Sequence, residues 1–295
     1  MDNKDCFLEP QVNQYGRNMV MTNVTRETKH KFIGIDTRFS DEYNASNYTI
    51  TLPERLTNVK SMSVRNVEIP MTFYNISSSL GNNYFSITAS LIQHILTIPD
   101  GQYTSTTLTN AINTQIQSLG VGYNVLVYNV VNNKSTFDCS TNSVTIDFDT
   151  DSNGSFDKYN FKSKLGWLLG FRKQSYVITT ALTTSECIVD LLGPKYLYLV
   201  IDEFSQKNPN SFLSPQSGFL LSKNILARIS MDDSFFPFGK VLPANNHNGY
   251  LLTDQRSYNG TIDIKKLNVQ VVNEIGIPID FNGIDFSFCL EVVHE

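Results

Sequence analysis

Four oxygen-bearing side chains follow one another at the spacing that opens a calcium-binding loop. They are Asp149, Asp151, Asn153 and Asp157. Carboxylate and amide oxygens are the ligands that Ca²⁺ prefers, and a complete EF-hand loop also needs a bidentate Glu at its twelfth position. Asn160 stands there instead, and the preceding residues VTIDF have the pattern of a strand rather than a helix. A complete EF-hand is therefore excluded, which leaves either a weak calcium site or a simple acidic turn.

The residue types that most enzymes need are present but scattered. The four histidines stand alone in the sequence, at His30, His94, His247 and His294. No HxH or HExxH pair, no CxxC, no phosphate-binding glycine loop and no G-x-S-x-G turn occurs. Zinc and non-haem metal sites need such clustered ligands, and hydrolases need a nucleophile beside a base. The sequence therefore predicts a protein without catalytic residues, cofactor or essential metal.

Aromatic residues concentrated in one loop suggest a different kind of site. Phe235, Phe236 and Phe238 lie near the start of a long loop predicted over residues 232–255. Three rings so close together are hard to bury within one sandwich, and aromatic residues are enriched where subunits meet. We expect this loop, together with the loop at residues 202–222, to contact another subunit. The alternative is that the rings fold back onto the protein's own core.

Composition limits the class of partner. Only 17% of the 295 residues are charged and the formal net charge is −5, so the chain has no general electrostatic attraction for nucleic acid. No apolar run approaches the roughly 20 residues that span a bilayer. The four cysteines, Cys6, Cys139, Cys187 and Cys289, lie far apart, and we expect free thiols rather than disulfides.

The segments that would position these loops have the alternating apolar pattern of strands. The strongest of these patterns lie at the end of the chain. Apolar residues alternate from Ile262 to Val271, with a change of parity at Lys265–Lys266 that predicts a β-bulge. After an 11-residue connection, Phe286, Phe288, Leu290 and Val292 fall on one face of a second strand. The two patterns are predicted to face each other, and the earlier strands must join them.

Earlier in the chain, short strands alternate with turns. Residues 47–52 form one predicted strand that Pro53 stops, and residues 59–69 form another with a bulge at Arg65–Asn66. One amphipathic helix is predicted over residues 108–119, preceded by Ser and Thr caps. This pattern indicates an all-β protein, a single antiparallel jelly-roll sandwich with an inserted helix and long loops.

The domain organisation follows from where this periodicity begins. Residues 1–30 are polar, without periodicity, and we expect an N-terminal arm that orders only on partners, if at all. Residues 31–295 form one predicted jelly-roll domain, with an insertion around residues 100–175.

Several stretches, in this order, resemble single jelly-roll capsid proteins of nucleocytoplasmic large DNA viruses. They are FIGIDTRF, VKSMSVRNVEIPMTFYNI, GNNYFSI, IPDGQYTSTTLTNAINTQI, LGWLLGFR, KYLYLVIDEF, NILARI and TIDIKKLNVQVVNEIGIPIDFNGIDFSFCLEV. The resemblance covers roughly residues 31–295. It implies a structural protein with no active site, most simply the penton that closes the fivefold vertices as a homopentamer.

The resemblance also implies partners and a place. The partners are major capsid protein trimers and other minor capsid proteins, and the place is the virion capsid, assembled in the host cytoplasm. Contact of the arm with an inner membrane stays open. The rival functions are a minor capsid protein that cements the trimers, a sugar- or receptor-binding jelly roll, and a metal-dependent jelly-roll enzyme.

Overall fold

The computed structural model describes residues 11–12, 18–19, 27–40, 47–120, 123, 126–140, 143–157, 161–180, 182–205, 212, 214–216, 219–220 and 224–295. Most of the predicted N-terminal arm, including Cys6, lies outside these residues, as do Asn160 and the middle of the 202–222 loop. The first long strand begins at Lys29, one residue before the predicted end of the arm.

The chain forms mainly β-strands, with two helices. The strands are β1 (Gln11–Val12), β2 (Asn18–Met19), β3 (Lys29–Asp36), β4 (Asn47–Pro70), β5 (Tyr84–Ala89), β6 (Ile92–Thr97), β7 (Leu126–Val131), β8 (Lys134–Cys139), β9 (Val144–Asp147), β10 (Ser175–Ile178), β11 (Thr183–Thr184), β12 (Tyr196–Asp202), β13 (Pro215–Gln216), β14 (Phe219–Leu220), β15 (Ile225–Ser230), β16 (Val241–Asn245), β17 (Leu251–Thr253), β18 (Arg256–Val272) and β19 (Ser287–His294). The helices are α1 (Ser105–Ser118) and α2 (Leu165–Leu168), with 3-10 turns at Thr37–Phe39 and Phe161–Ser163.

Two four-stranded layers account for the largest part of the fold. One layer has the order β3, β19, the C-terminal half of β4, and β16. The other has the order of the N-terminal half of β4, the C-terminal half of β18, β12 and β15, with β17 added at the edge. All of these pairs are antiparallel. When β4 is counted as two strands, this is the strand order of a jelly roll, so the predicted fold class is confirmed.

The long strands β4 and β18 run through both layers and bend between them. Between the pairs Thr51–Lys266 and Leu56–Ile264, four residues of β4 face one residue of β18, and Pro53 lies in this bulge. Proline is tolerated at a bulge because no ladder hydrogen bond is required from its nitrogen. The prediction that Pro53 ends a strand is therefore wrong, since β4 continues through it to Pro70.

The register is irregular at both predicted places, although the extra residues opposite Lys265 belong to β4 rather than to β18. The register of β18 shifts between Ile264 and Lys266, and the register of β4 against β19 skips Arg65. The predicted pairing of the last two strands is wrong, because β18 and β19 lie on opposite edges of β4. Their connection crosses between the layers and is not a hairpin.

One core lies between the two layers. Phe286, Phe288, Leu290 and Val292 are all buried in it, as their alternation predicts. They share this core with Leu197, Leu199 and Ile201 of β12 in the other layer. Tyr48 packs edge-on against Phe286, with ring centroids 6.3 Å apart. Since residues from both layers belong to one apolar cluster, the layers pack face to face.

Between β4 and β12 the chain builds a second unit with a core of its own. Its residues run from Ile76 to Leu191 in sequence, so this unit includes the predicted insertion around 100–175 and extends beyond it on both sides. It contains a sheet of order β10, β9, β5, β6 and a sheet of order β11, β8, β7. Four rings at its centre touch one another: Phe85, Phe137, Phe148 and Phe171. We call residues 71–195 the inserted unit.

Helix α1 closes one side of the inserted unit. Thr104 caps its first turn by accepting from the backbone N–H of Thr107, and Gly120 follows its end with φ of +91°, as the capping residues predict. From the helix, the Asn113 side chain accepts from the Tyr128 N–H at 2.9 Å and donates to the Tyr128 carbonyl at 2.8 Å. The edge of strand β7 is thereby covered by a side-chain amide.

A buried amide joins the two ends of the inserted unit. The Asn75 side chain donates to the carbonyls of Tyr103 and Leu191 at 2.8 and 2.9 Å, and accepts from the Tyr103 N–H at 2.8 Å. Asn75 lies just after β4, and Leu191 lies just before β12. The entering and leaving segments are therefore held side by side.

Candidate subunit interface

The three candidate rings after β15 differ sharply in their surroundings. Phe235 is 77% exposed, and Phe238 is 48% exposed and stacks on Tyr74 with centroids 5.9 Å apart. Phe236 packs against the main core and meets Tyr250 edge-on at 5.6 Å. Phe235 is therefore the ring most available to a neighbouring subunit, whereas Phe236 helps to hold the loop on the fold.

Asp232 fixes the conformation of this loop. Its carboxylate accepts from the Phe235 N–H at 3.1 Å, from the Ser234 hydroxyl at 2.6 Å and from the Tyr250 hydroxyl at 3.0 Å. The hydrogen bond from Ser234 is the main reason that the pKa of Asp232 lies below its usual range. The exposed ring of Phe235 is thus presented on a structured turn, which lowers the entropy lost on contact.

The predicted loop over residues 232–255 is shorter than expected, because β16 and β17 lie within it. Strand β16 pairs with the end of β4 and completes one layer, although it contains Pro243. The alternation of Leu242 and Ala244, both buried, was the available signal in the sequence. The aromatic turn is consequently a short connection between β15 and β16.

The second candidate contact, the loop at residues 202–222, begins with an exposed ring. Phe204 is 62% exposed and has φ of +59°, an unusual conformation for a bulky side chain. The Asp202 carboxylate accepts from the Phe204 N–H at 2.8 Å and holds this turn. Beyond residue 205 most of the loop lies outside the described residues.

Beneath the start of this loop lies a buried ion pair that sequence reasoning missed. The Arg256 guanidinium donates to Glu203 at 2.7 Å, to the Ile201 carbonyl at 2.7 Å and to the Asn224 carbonyl at 2.9 Å. Both charged side chains are almost fully buried. Burial raises the pKa of the Glu203 carboxyl, and the Arg256 charge opposes that rise without cancelling it. The pair ties β12 to β18 and to the residue before β15.

A second charged group lies on the outer face of the layer that contains β19. The Glu291 carboxylate is paired with the His30 imidazole at 2.7 Å and with the Arg65 guanidinium, which joins β19 to both of its neighbouring strands. Burial alone would raise the pKa of Glu291, but these two hydrogen bonds outweigh it and hold the pKa below its usual range. Phe32, on the same face, is 62% exposed.

The acidic loop of the inserted unit is built around a lysine. The Lys164 ammonium, 3% exposed as a residue, donates to Asp157 at 2.9 Å, to the Thr150 carbonyl at 2.9 Å and to the Tyr84 hydroxyl at 3.0 Å. Asp151 accepts from the N–H groups of Asn153 and Ser155 and shapes the turn.

Burial, the first of several causes, raises the pKa of Asp149 in the same loop. Across the described residues, no three His, Cys, Asp or Glu side chains come close enough together to hold a metal ion. Calcium binding by Asp149, Asp151, Asn153 and Asp157 stays a sequence prediction, to which the geometry adds no cluster of ligands.

The other chemically reactive groups are dispersed. Cys139 lies on β8, Cys187 in the loop after β11 and Cys289 on β19, and no disulfide joins these three cysteines. Of the helices within the described ranges, none combines the length and the apolar character that crossing a bilayer requires.

Comparison with known proteins gives structural neighbours only. No family model and no curated protein sequence matches the chain. The structure is similar to the penton protein of mavirus, with a TM-score of 0.44 and 8% sequence identity over 90% of this chain and 99% of that one. It is also similar to a chain of the Sputnik virophage structure, with a TM-score of 0.40 and 13% identity over 91% and 98% of the two chains.

Proposed function

We propose that the protein is a structural capsid protein of a large icosahedral DNA virus and forms the pentameric penton at the fivefold vertices. The observation that carries this proposal is the jelly-roll order of the two four-stranded layers, with the inserted unit between β4 and β12. It is supported by the ordered set of capsid-like motifs in the sequence.

The surface of the jelly roll supports ring formation. Five copies of a sandwich pack around one axis when each presents one patch to the next, which is a heterologous interface that closes. Phe235 and Phe204 are exposed aromatic side chains on turns shaped by Asp232 and Asp202. Buried aromatic anchors dominate the binding energy of many interfaces. We assign Phe235 to the contact between neighbouring copies.

The remaining parts of the proposal concern place and partners. The protein occupies the virion capsid, is assembled there in the host cytoplasm, and contacts major capsid protein trimers and other minor capsid proteins. The jelly-roll domain with its inserted unit begins at β3, whose first residue is Lys29, and the residues before it form an arm for partners. The protein performs no catalysis.

Two rival functions are weighed against specific side chains. A sugar-binding platform needs an open aromatic ring, but Trp167 is half-buried and the Arg172 guanidinium lies 3.9 Å from its ring centroid. A metal-dependent enzyme needs clustered ligands, which do not occur among the described residues. A role in cementing trimers uses the same jelly-roll surface and differs from the penton role in copy number and position.

The test is the mass of the assembled protein. We expect native mass measurement to find rings of five 33.3-kDa chains for the wild type. The substitution Phe235→Asp should leave a folded monomer, because it places a charge in a contact that excludes water. Phe236 is left unchanged, since its packing on the core means that an Asp there would unfold the loop.

The matched control is Phe156→Asp, which charges a ring of similar exposure, 68%, in the inserted unit. This variant should still form rings. Rings formed equally well by Phe235→Asp would show that this turn is not the interface, and a wild type that remains monomeric at all concentrations would count against the pentamer.

A further inference from the structure

Strand β6 forms one edge of the four-stranded sheet in the inserted unit. It is joined to β5 by a two-residue turn, Ser90–Leu91, whose φ angles of +50° and +67° are those of a type I′ hairpin. In such a hairpin the pair that flanks the turn, Ala89 and Ile92, exchanges hydrogen bonds, and the pattern then alternates. The N–H and C=O groups of Gln93, Ile95 and Thr97 therefore point away from β5.

These outward backbone groups have no hydrogen-bond partner among the described residues. Two other edges of the molecule are protected. Asn113 covers the edge of β7, and β3 carries Lys29 and Lys31, charges of the kind that discourage pairing at an edge. Strand β6, with the sequence IQHILT, contains no charged residue and no proline.

The side chains around this edge are apolar, exposed and neutral. Leu91 is 100% exposed, Ile92 is 58% exposed and Ile95 is 36% exposed. No Asp, Glu, Lys or Arg occurs between Glu68 and Asp100. A bulky residue with positive φ is strained, so Leu91 is an unfavourable choice for the turn unless its side chain has another role.

We infer that β6 is a docking edge to which an extended segment of another protein adds as a fifth strand. The backbone hydrogen bonds to Gln93, Ile95 and Thr97 would supply affinity, and the alternate side chains of the segment would supply selectivity. An apolar residue opposite Ile95 would cover its exposed side. The occupant is therefore an extended peptide segment with apolar residues at alternate positions.

Charge near the edge narrows the chemistry of this segment. Asp147 lies on the same face of the sheet as Ile95, two strands away through Ser86. The acidic loop that contains Asp151 reaches the edge itself, where the Gln93 side chain donates to the Gly154 carbonyl at 3.2 Å. A segment with acidic residues would be repelled, so the occupant is neutral or basic.

A second copy of β6 fits this edge less well. Antiparallel pairing of two copies would place Ile95 opposite Ile95 on the same face. An added Cβ at Gly154 would lie only 3.1 Å from the Ile95 side chain, so the acidic loop of each copy already occupies the space above this residue. Two such loops would meet at the centre of the pairing, whereas a single peptide brings none.

The test uses the full-length protein and a defined probe. The probe is a synthetic eight-residue peptide of alternating Thr and Val with capped ends, compared with a version that has Asp in place of two Thr residues. We expect saturable binding of the neutral peptide and slowed hydrogen exchange at the amides of Gln93, Ile95 and Thr97. The acidic peptide should bind about tenfold more weakly or not at all, since each unpaired charge is unfavourable beside an acidic loop.

Two variants locate the site. Thr97→Pro removes an outward N–H without removing a bond to β5, and Ile95→Lys introduces a charge at the edge; each should weaken binding by about tenfold or more. The matched control is Val127→Lys, because Val127 is 49% exposed on β7, whose edge Asn113 already covers. Unchanged melting temperatures establish that the three variants are folded.

Three outcomes would overturn the inference. The first is fast exchange at all three amides under saturating peptide, and the second is equal binding by wild type and Thr97→Pro. The third is a peptide-free dimer that Ile95→Lys dissociates, which would identify a second copy of the chain as the occupant instead.

Discussion

The jelly roll and the inserted unit are stabilised by contacts of very different sequence separation. In the jelly roll, β19 pairs with β3, so that Phe288 lies opposite Ile35. In the inserted unit, all strands that pair lie between residues 84 and 184. Contacts between residues far apart in sequence form late in folding, because the chain between them loses conformational entropy when it is closed into a loop. The inserted unit can therefore form before the chain is complete, whereas the jelly roll requires the C-terminus.

The two regions also satisfy their buried polar groups differently. The jelly roll buries the ion pair of Arg256 and Glu203. The first half of the inserted unit relies on neutral amides, such as Asn75 and Asn113, and residues 69–133 contain one charged residue, Asp100. Neutral amides do not titrate, so changes of pH should act mainly on the jelly roll and on the second half of the inserted unit.

The largest expected effect comes from removing the last strand. Deletion of residues 285–295 takes Phe286, Phe288 and Leu290 out of the core and exposes the edges of β3 and β4. Replacing one such buried residue with Ala typically lowers the free energy of unfolding by about 2–5 kcal/mol. We expect the jelly roll to unfold while the inserted unit keeps its slowly exchanging amides. An unchanged melting temperature for the soluble truncated protein would contradict the conclusion that the jelly roll needs its last strand.

The next effect is the loss of one partner of the buried ion pair. Arg256→Ala leaves the Glu203 carboxylate buried without its cation, which typically lowers the free energy of unfolding by about 3–5 kcal/mol. The control is Arg55→Ala, because Arg55 pairs with Asp263 on the surface, where such pairs contribute about 0–1 kcal/mol. Denaturant titration measures the free energy of unfolding of both variants. Equal losses would show that the buried pair contributes no more to stability than the surface pair.

A smaller effect is expected at the junction of the two regions. Asn75→Ala removes the amide that joins Tyr103 and Leu191 and leaves buried backbone groups unpaired. This loss typically lowers the free energy of unfolding by about 1–3 kcal/mol. We expect faster hydrogen exchange at the entry and exit of the inserted unit, with both cores retained. The control is Asn110→Ala, because Asn110 is exposed on α1. Equal hydrogen exchange in both variants would show that Asn75 does not hold the entering and leaving segments together.

The smallest expected effect is a dependence of the protein's stability on pH. Because the folded-state pKa of Glu291 is lowered, its contribution to stability is complete above the ordinary pKa of a glutamate. That contribution is lost as the pH falls through the lowered folded-state value. Glu291→Gln should therefore reduce the stability difference between neutral and acidic pH, measured by denaturant titration at each pH. An identical pH dependence in the variant and the wild type would contradict this assignment.

The sequence predicted local features well. The irregularities at Arg65 and at Lys265–Lys266 are visible because the side-chain alternation reverses at both places. Helix α1 is visible because its apolar spacing and its Thr cap both occur within one segment. Features that depend on distant partners were predicted poorly. Nothing near Pro53 indicates that β4 bulges there against β18 and continues as a strand, and the proximity of β18 to β19 in sequence wrongly suggests that they pair.

The candidate site was only partly predictable for the same reason. The spacing of Phe235, Phe236 and Phe238 identified the turn, but which ring is buried depends on Tyr250, a residue of another segment. The absence of charged residues from positions 69–99 was the available sequence signal for the docking edge at β6. Its meaning emerged only when the strand order placed β6 at the edge of a sheet.

The most direct test of the proposed assembly is the mass of the chain without its inserted unit. Residues 72–193 are replaced by a short Gly-Ser linker, which is feasible because Asn75 and Leu191 lie side by side. If the jelly roll carries the ring contacts through the turn at Phe235, native mass measurement will find five copies of the shortened chain, as for the full-length protein. A folded shortened chain that stays monomeric while the full-length chain forms rings would place those contacts in the inserted unit and contradict the proposal.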